Sequence, residues 1–254
     1  MNRVAAFFKK YWVTICIYIG MFILYKIIAD YKLVNAFLFP SVDSIAESFV
    51  ENRETMLLNM LASFSLLIPS VFISLVIALV VGRVLGMNKR IREAIYPVIY
   101  TISVVPSILL SPFALLLAPS FRAASLFLIV YGTIWATLFA TITGIMTIDK
   151  RYLDNAETLE LCGVKKFMKV ILPAASPSIL SGFVNSLRGS FVMLVYAEMY
   201  GAQYGMGFFV KKYAEFGLYN NTWAGFGFMV VVLLIVMQIF EKIKNCQHRS
   251  QSEC

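Results

Sequence analysis

The chain has 254 residues, 60% of them hydrophobic and only 14% charged, and a formal charge of +8. Soluble domains carry about a quarter charged residues, so a water-soluble globule is excluded, and apolar runs near the ~20 residues of a membrane-crossing helix predict an integral membrane protein. The basic residues sit in short patches between apolar runs rather than in a stripe interleaved with stacking aromatics, which excludes a nucleic-acid partner.

Six spans are predicted, all helical, because backbone groups in hydrocarbon must be satisfied within their own segment and nothing alternates like a barrel strand. Arg3, Lys9 and Lys10 precede an apolar run over 11–29. That run exceeds the 7–15 residues of a signal-peptide core and lacks a small-x-small cleavage site, so it reads as a retained span over 11–30. Lys26, close to its outer end, is expected to snorkel. Residues 39–54, FPSVDSIAESFVENRE, are amphipathic. Ser41 or Asp43 caps a short helix that buries Ile45, Phe49 and Val50 on one face, which predicts an interfacial helix on the outer leaflet.

The second span, 57–87, contains Pro69 and ends in Gly82-Arg83-Val84-Leu85-Gly86, whose small residues at i and i+4 permit close helix approach. The third, 94–118, carries Pro106 and Pro112, with Pro119 just beyond, and is predicted to kink, either beside a translocation path or as ordinary packing. The fourth, 123–147, holds Tyr131 and Trp135. The fifth, 172–198, places Arg188 about sixteen residues in and Glu198 at its outer end, with Tyr196 and Tyr200 nearby. The sixth is 223–241.

Orientation follows from Lys and Arg in the connections. Arg3, Lys9, Lys10, Lys89, Arg90, Arg92, Lys150, Arg151, Lys165, Lys166, Lys169, Lys242, Lys244 and Arg249 fall on one side, fourteen in all. Lys32, Arg53, Arg122, Lys211 and Lys212, five, fall on the other. The positive-inside rule then puts both termini and the 148–171 segment in the cytoplasm.

That segment, DKRYLDNAETLELCGVKKFMKV over 149–170, is the most informative stretch. Asp154 or Asn155 is expected to cap a helix with Glu157 and Glu160 in its first turns; Gly163 ends it, and Lys165, Lys166 and Lys169 follow on a second helix. Pro173 and Pro177 open the fifth span. A short helix held at the membrane face by two larger elements forms a docking knob for a soluble partner.

Chemistry of its own is absent from the chain. GxxxxGK[ST] does not occur, and neither Gly205-Met206-Gly207 nor Gly225-Phe226-Gly227 completes a dinucleotide fingerprint. Four scattered cysteines (Cys16, Cys162, Cys246, Cys254) and one histidine, His248, predict no disulfide framework, zinc site or catalytic triad. Arg188 carries a charge that costs about 2.5–3.5 kcal/mol near the bilayer centre, so it is expected to face the bundle interior or a cavity and to find a partner. There it either lines a pathway and attracts an anion, or forms an internal salt bridge or a bond to helix carbonyls. Glu198, counted with the pathway candidates, either shapes the outer surface that receives a binding protein or caps local amides. Tyr131, Trp135, Tyr196 and Tyr200 either line the pathway or pack.

Residues 156–174, AETLELCGVKKFMKVILPA, resemble the EAA loop of binding-protein-dependent ABC transporter permeases, a loop that in that family forms the helix docked on the ATP-hydrolysing subunit. Counted back from Ile171-Leu172-Pro173 without a gap, Asp154 takes the acidic position, Ala156 the second small one and Glu160 that of the glycine. A gapped register instead uses Glu157 and Gly163. Phe39-Pro40-Ser41, Gly86-Met87-Asn88-Lys89-Arg90, Pro106 with Pro112, and Leu187-Arg188 are collinear with the nitrate/sulfonate/taurine-type permease group. So is Ala197-Glu198-Met199-Tyr200-Gly201-Ala202 with Gly205-Met206-Gly207, similar to that group's AEM-x-GA-x-x-GLG pattern. Residues 117–122 depart from the group in lacking its aromatic-glycine turn.

The resemblance implies one all-α, six-span transmembrane domain over 1–254 with a type I ABC importer permease fold, in a bacterial inner membrane. It implies a second permease copy, ABC ATPase subunits, an extracytoplasmic substrate-binding protein and membrane lipid as partners. No cofactor is expected in this chain; ATP and Mg2+ belong to the ATPase. The implied coupling residues are Asp154, Ala156, Glu157, Leu159, Glu160, Gly163 and Pro173. The solute is expected to be a small organic or inorganic anion (sulfonate, taurine or nitrate) or a pyrimidine-type nutrient. A non-transporting scaffold and a membrane-embedded enzyme are the readings from other classes.

Overall fold

The computed structural model describes residues 3–31 and 34–252, with side chains over 12–31 and 34–245. Lys32 and Cys254 lie outside the described residues, as do the side chains of Arg3, Lys9, Lys10, Cys246, His248 and Arg249. Ten α-helices are described: α1 Arg3–Asp30, α2 Val42–Met87, α3 Lys89–Ser103, α4 Ser111–Leu117, α5 Phe121–Met146, α6 Lys150–Thr158, α7 Gly163–Lys166, α8 Leu172–Gly201, α9 Met206–Glu215 and α10 Tyr219–Ser252. Five stretches are long and apolar enough to cross a membrane, and α3 with the segment through α4 makes a sixth, bent by 80°. Each expected span thus has its counterpart, with three differences of detail.

First, the segment expected to lie on the outer leaflet is not a separate element. It forms the opening turns of α2, a 46-residue helix capped by Ser41, whose Oγ accepts from the Ser44 amide at 3.3 Å. Part of its apolar side turns toward protein: Met56 is buried with Phe209 and Ala224, and Ile45 packs against that cluster, whereas Phe49 and Val50, expected on the same buried face, are 41% and 61% exposed. Second, the third span does more than kink. Pro106 cannot continue a helix, and a 3-10 turn over Ser107–Leu110 redirects the chain into α4, where Pro112 is harmless in the first turn. Third, the fifth span begins earlier. α7, a π-helical turn over Phe167–Ile171 and α8 form one 39-residue helix from Gly163 to Gly201. α9, in the connection between α8 and α10, has no counterpart among the elements expected from sequence.

Internal prolines free carbonyls, and at two of them, Pro69 and Pro177, a side chain takes the carbonyl up. Pro69 leaves the Ser65 carbonyl without its helical donor, and Arg122 Nη2 donates to it at 3.3 Å. Pro177 does the same to the Pro173 carbonyl, which accepts from Ser176 Oγ at 2.8 Å.

The bundle centre is α5 packed between α2 and α8. With no hydrophobic force between helices in lipid, close approach at small residues and interhelical hydrogen bonds hold such a centre. A Cβ at Gly82 would stand 2.6 Å from Thr141 Cγ2, at Gly86 2.8 Å from Ile145 Cβ, and at Gly182 2.2 Å from Ala140 Cβ. The Gly82–Gly86 pair therefore packs on α5. Ser74 Oγ donates to the Val130 carbonyl at 3.0 Å, Ser178 Oγ to that of Ala140 at 3.0 Å, and the Thr137 and Ser186 hydroxyls meet at 2.8 Å. Leu66, Leu128, Ile129, Phe191 and Leu194 fill the space between. α1 stands apart, joined at one end where Tyr25 Oη donates to the Pro40 carbonyl and its ring meets Trp223.

Candidate functional site

Two places carry the residues singled out from sequence: the polar end of the bundle around α6, and the far end where α8 meets α9.

At the first, α6 starts earlier than expected. Asp149 is the cap, its Oδ1 accepting from the Arg151 amide at 2.9 Å, so Asp154 and Asn155 sit mid-helix rather than at its start. The helix also ends before Gly163. The Glu160 amide donates to the Glu157 carbonyl and the Leu161 amide to that of Ala156, both at 2.9 Å. This is a Schellman termination, and Glu160 occupies its left-handed position with φ 51°, the single non-glycine residue with positive φ among those described. Glycine is the residue such a position favours. Gly163, at φ 58°, opens α7.

Ala156 anchors α6, 1% exposed. Beneath the helix, Ile145, Phe167, Ile171, Ala175 and Ile179 form a buried cluster to which Leu153 is added, and Lys166 Nζ reaches Glu157 Oε1 at 3.1 Å. The outer face is left free: Asp154, Glu157 and Glu160 are exposed, as are the apolar Tyr152, Leu159 and Val164. Pro173 stands in the first turn of α8. A cleft of about 760 Å3 opens between α6 and the start of α8, with Asp149, Tyr152, Asn155 and Lys169 on its walls. An anchored knob with a free amphipathic face, continued through a π turn into a membrane-length helix, suits it to receive a partner and pass movement on.

Relieving the backbone of Glu160 supplies a direct check. Glu160→Gly is expected to stabilise the chain by about 0.5–1 kcal/mol, because the left-handed conformation costs an L-residue roughly 1–2 kcal/mol and glycine's greater unfolded-state freedom offsets part of that. Thermal unfolding in detergent reads it; a lowered midpoint would contradict the Schellman assignment.

At the other end, three successive amides at the start of α9 are each met by a side chain from another element. Asn59 Oδ1 accepts from Gly205 N at 2.8 Å, Ser63 Oγ from Met206 N at 2.9 Å, and Glu198 Oε2 from Gly207 N at 2.8 Å. α9 has no capping side chain of its own, so α2 and α8 supply its N-terminal acceptors. Both glycines are required by space: a Cβ at Gly205 would lie 2.3 Å from Glu198 Cδ, and one at Gly207 2.6 Å from the Val195 carbonyl. Glu198, 1% exposed, is thus a capping group in the interior rather than part of a surface that a solute reaches. Asn59 and Ser63 escaped sequence reasoning. Their signal was a stripe of small or polar residues, Asn59, Ser63, Ser70, Ser74, Ala78 and Gly82, spaced along one face of an otherwise apolar helix.

The remaining candidates divide into two groups. Arg188 finds the partner expected of it but does not face the interior of this chain's bundle: it is 61% exposed and pairs with Glu241 of α10, Nη2 to Oε1 at 2.9 Å, while Lys244 reaches the other oxygen of Glu241 at 2.6 Å. Tyr131 and Tyr196 instead hold the bent third span. Tyr131 Oη donates to the Ile102 carbonyl at 2.6 Å, and Tyr196 Oη lies 3.1 Å from Ser111 Oγ. Trp135 meets Tyr131 edge to face at 5.2 Å, and its buried Nε1 has no hydrogen-bond partner among the described residues. Tyr196 stacks near Tyr200 at 4.6 Å. No hydrogen bond or ring contact among the described residues joins Arg188 to these aromatics.

Comparison with known proteins adds the following. The profile of the family described as binding-protein-dependent transport system inner membrane component matches residues 70–243. A permease protein of Bacillus subtilis (strain 168), named for aliphatic sulfonates transport, is 30% identical over 131 residues, 52% of this chain and 48% of that one. The nitrate import permease protein of Leptolyngbya laminosa is 31% identical over 109 residues, 43% and 39% of the two chains. A bicarbonate transport system permease protein of Synechococcus elongatus is 32% identical over 100 residues, 39% and 36%. The matched stretch spans about half or less of each relative's length. Among solved structures, the MetNI methionine ABC transporter in an inward-facing conformation superposes with TM-score 0.63 at 15% identity, over 77% of this chain and 97% of that one. At that identity the likeness is one of fold, and it is the all-α, type I importer permease fold expected from the sequence.

Proposed function

Because the chain belongs to the family of binding-protein-dependent transport system inner membrane components, we propose that it is the membrane-spanning subunit of an ATP-driven importer of a small anion. The observation that carries this is α6: anchored through Ala156, free on its outer face and joined by a short turn to α7, which continues into a span. Two copies enclose the path, since the spans of one chain surround little space. Each copy presents one α6 to an ATPase subunit, which holds ATP and Mg2+, while an extracytoplasmic binding protein delivers solute at the opposite end. Both termini and α6 lie in the cytoplasm, by the excess of Lys and Arg on that side. Closure of the ATPases on ATP pushes α6, swings α8, and alternates access to the path between the two sides of the membrane.

An anionic solute is supported by the names of three relatives, which specify aliphatic sulfonates, nitrate and bicarbonate. Arg188 supports it from within the chain, being a guanidinium more than half exposed midway along an apolar helix. Its bridge to Glu241 keeps the charge compensated when no solute is present. Reconstitution of the chain with its ATPase and binding protein in vesicles is expected to give ATP-dependent uptake of such an anion. Arg188→Ala should cut that uptake at least about ten-fold while Arg188→Lys retains part of it, as for a pathway charge. Uptake by Arg188→Ala at the wild-type rate would remove Arg188 from the pathway, and an assembly that moves no anion would remove the substrate class.

A further inference from the structure

Of the 22 Lys and Arg residues, three lie inside the spans expected from sequence over 11–30, 57–87 and 172–198: Lys26, Arg83 and Arg188. Arg188 has a carboxylate partner. Arg83, one turn before the end of α2, has none: its guanidinium lies 4.7 Å from the centre of the Phe167 ring, and no hydrogen bond or ion pair to it exists among the described residues. The side chain is half-buried in a groove of about 400 Å3 between the end of α2 and the start of the 163–201 helix. The walls are apolar, with Leu79, Val80, Val84, Val164, Phe167 and Met168, and Asn88 closes the end. Val80, Val84 and Met168 are 59%, 43% and 55% exposed, so the groove opens sideways, where acyl chains would lie.

A neighbouring hollow of about 370 Å3, sharing Met87, adds Lys89, Arg92 and Lys166. Glu93 and Glu157, the acids on these segments with ion-pair partners, are engaged by Lys89 at 3.8 Å and Lys166 at 3.1 Å. Arg92 Nη1 is turned to the carbonyls of Leu85 and Gly86, both at 3.1 Å. Arg83 is therefore the cation left facing the groove with its donors unused. Five N–H groups in a planar fork match a phosphate diester, and an apolar trough beside them matches the chains below it. A basic pocket between spans at the inner interface is a setting in which anionic headgroups bind.

We propose that this groove holds one anionic phospholipid of the leaflet bordering α6, its phosphate on Arg83 and its chains along Val80, Val84 and Met168. The lipid joins α2 to the helix that continues the α6 knob. The inference requires that the chain span a membrane, and neither the direction of transport nor the identity of the solute enters it.

Native mass spectrometry of the full chain, equilibrated in detergent with equal amounts of phosphatidylglycerol and phosphatidylcholine, tests this. The wild-type chain is expected to retain phosphatidylglycerol about five-fold over phosphatidylcholine, the preference expected from one cation at the membrane surface. Arg83→Gln should remove the preference, Arg83→Lys keep most of it, and Lys211→Gln, on α9 at the opposite end, leave it unchanged. No preference in the wild-type chain overturns the proposal without reference to any variant, as does a preference that survives in Arg83→Gln. Loss of the preference on adding excess inorganic phosphate would assign the site to a free ion and overturn the lipid as occupant.

Discussion

Glu198→Ala is expected to destabilise the chain by about 2–4 kcal/mol, whereas Glu198→Gln should stay within about 1 kcal/mol of wild type. Alanine removes the acceptor for the Gly207 amide and empties a site that is 1% exposed, at a corner where α2, α8 and α9 meet. Glutamine keeps an oxygen in place to accept from that amide, so the pair separates the geometric role from the charge. Gly205→Ala should do at least as much damage as Glu198→Ala: its φ of 130° disfavours an L-side chain, and the added carbon would meet the Glu198 carboxyl carbon at 2.3 Å. In thermal unfolding a loss of 3 kcal/mol corresponds to a midpoint lower by roughly 6–12 °C for a chain of this size. If glutamine proves as harmful as alanine, the negative charge matters and the capping account is wrong.

The second large effect concerns association rather than folding. Leu159 is 69% exposed at the end of α6, beside Tyr152 at 57%. A polar replacement there removes no buried contact, and surface changes of this kind usually alter stability by no more than about 0.5 kcal/mol. Exposed apolar side chains on an otherwise charged knob, however, are the type that anchor in a partner's pocket, and loss of such an anchor costs about 2 kcal/mol or more. Leu159→Asp is therefore expected to weaken binding of the ATPase subunit about thirty-fold or more at an unchanged unfolding midpoint. Titration of the ATPase onto detergent-solubilised chain would read the affinity. Wild-type affinity in this variant, with ATP-driven uptake intact, would falsify α6 as the docking element.

The sequence announced the spans because a 20-residue apolar run has few alternatives in a bilayer. It was less informative about their ends. Residues 39–54 look like an interfacial helix because their apolar face is one-sided, yet Ile45 on that face packs against α9 and the start of α10, which no local pattern discloses. The break at Pro106 was legible from proline chemistry, but its 80° bend depends on Tyr131 and Tyr196 holding the two halves from other helices. Around α6, the presence of a helix was visible and its start was not: Asp149, Asp154 and Asn155 are all competent caps, and Ala156 settles the choice by being the position that fits against the bundle. Glu160 and Gly163, the glycine positions of the two registers, both take left-handed backbone. The Glu198 block stood out as a motif, while the reason for it lies on α2, about 140 residues earlier, at Asn59 and Ser63.

The helix running unbroken from Gly163 to Gly201 has a mechanical consequence. Its 39 residues make a rod of about 58 Å, longer than the ~45 Å of a bilayer with its headgroups. A single helix of that length behaves as a pushrod. Tilting it by only about 5° at the end nearest α6 carries the opposite end sideways by about 5 Å over that length. That opposite end is bolted to two other helices through Asn59, Ser63 and Glu198, so the stroke is delivered to a whole corner of the bundle and not to a single loose loop.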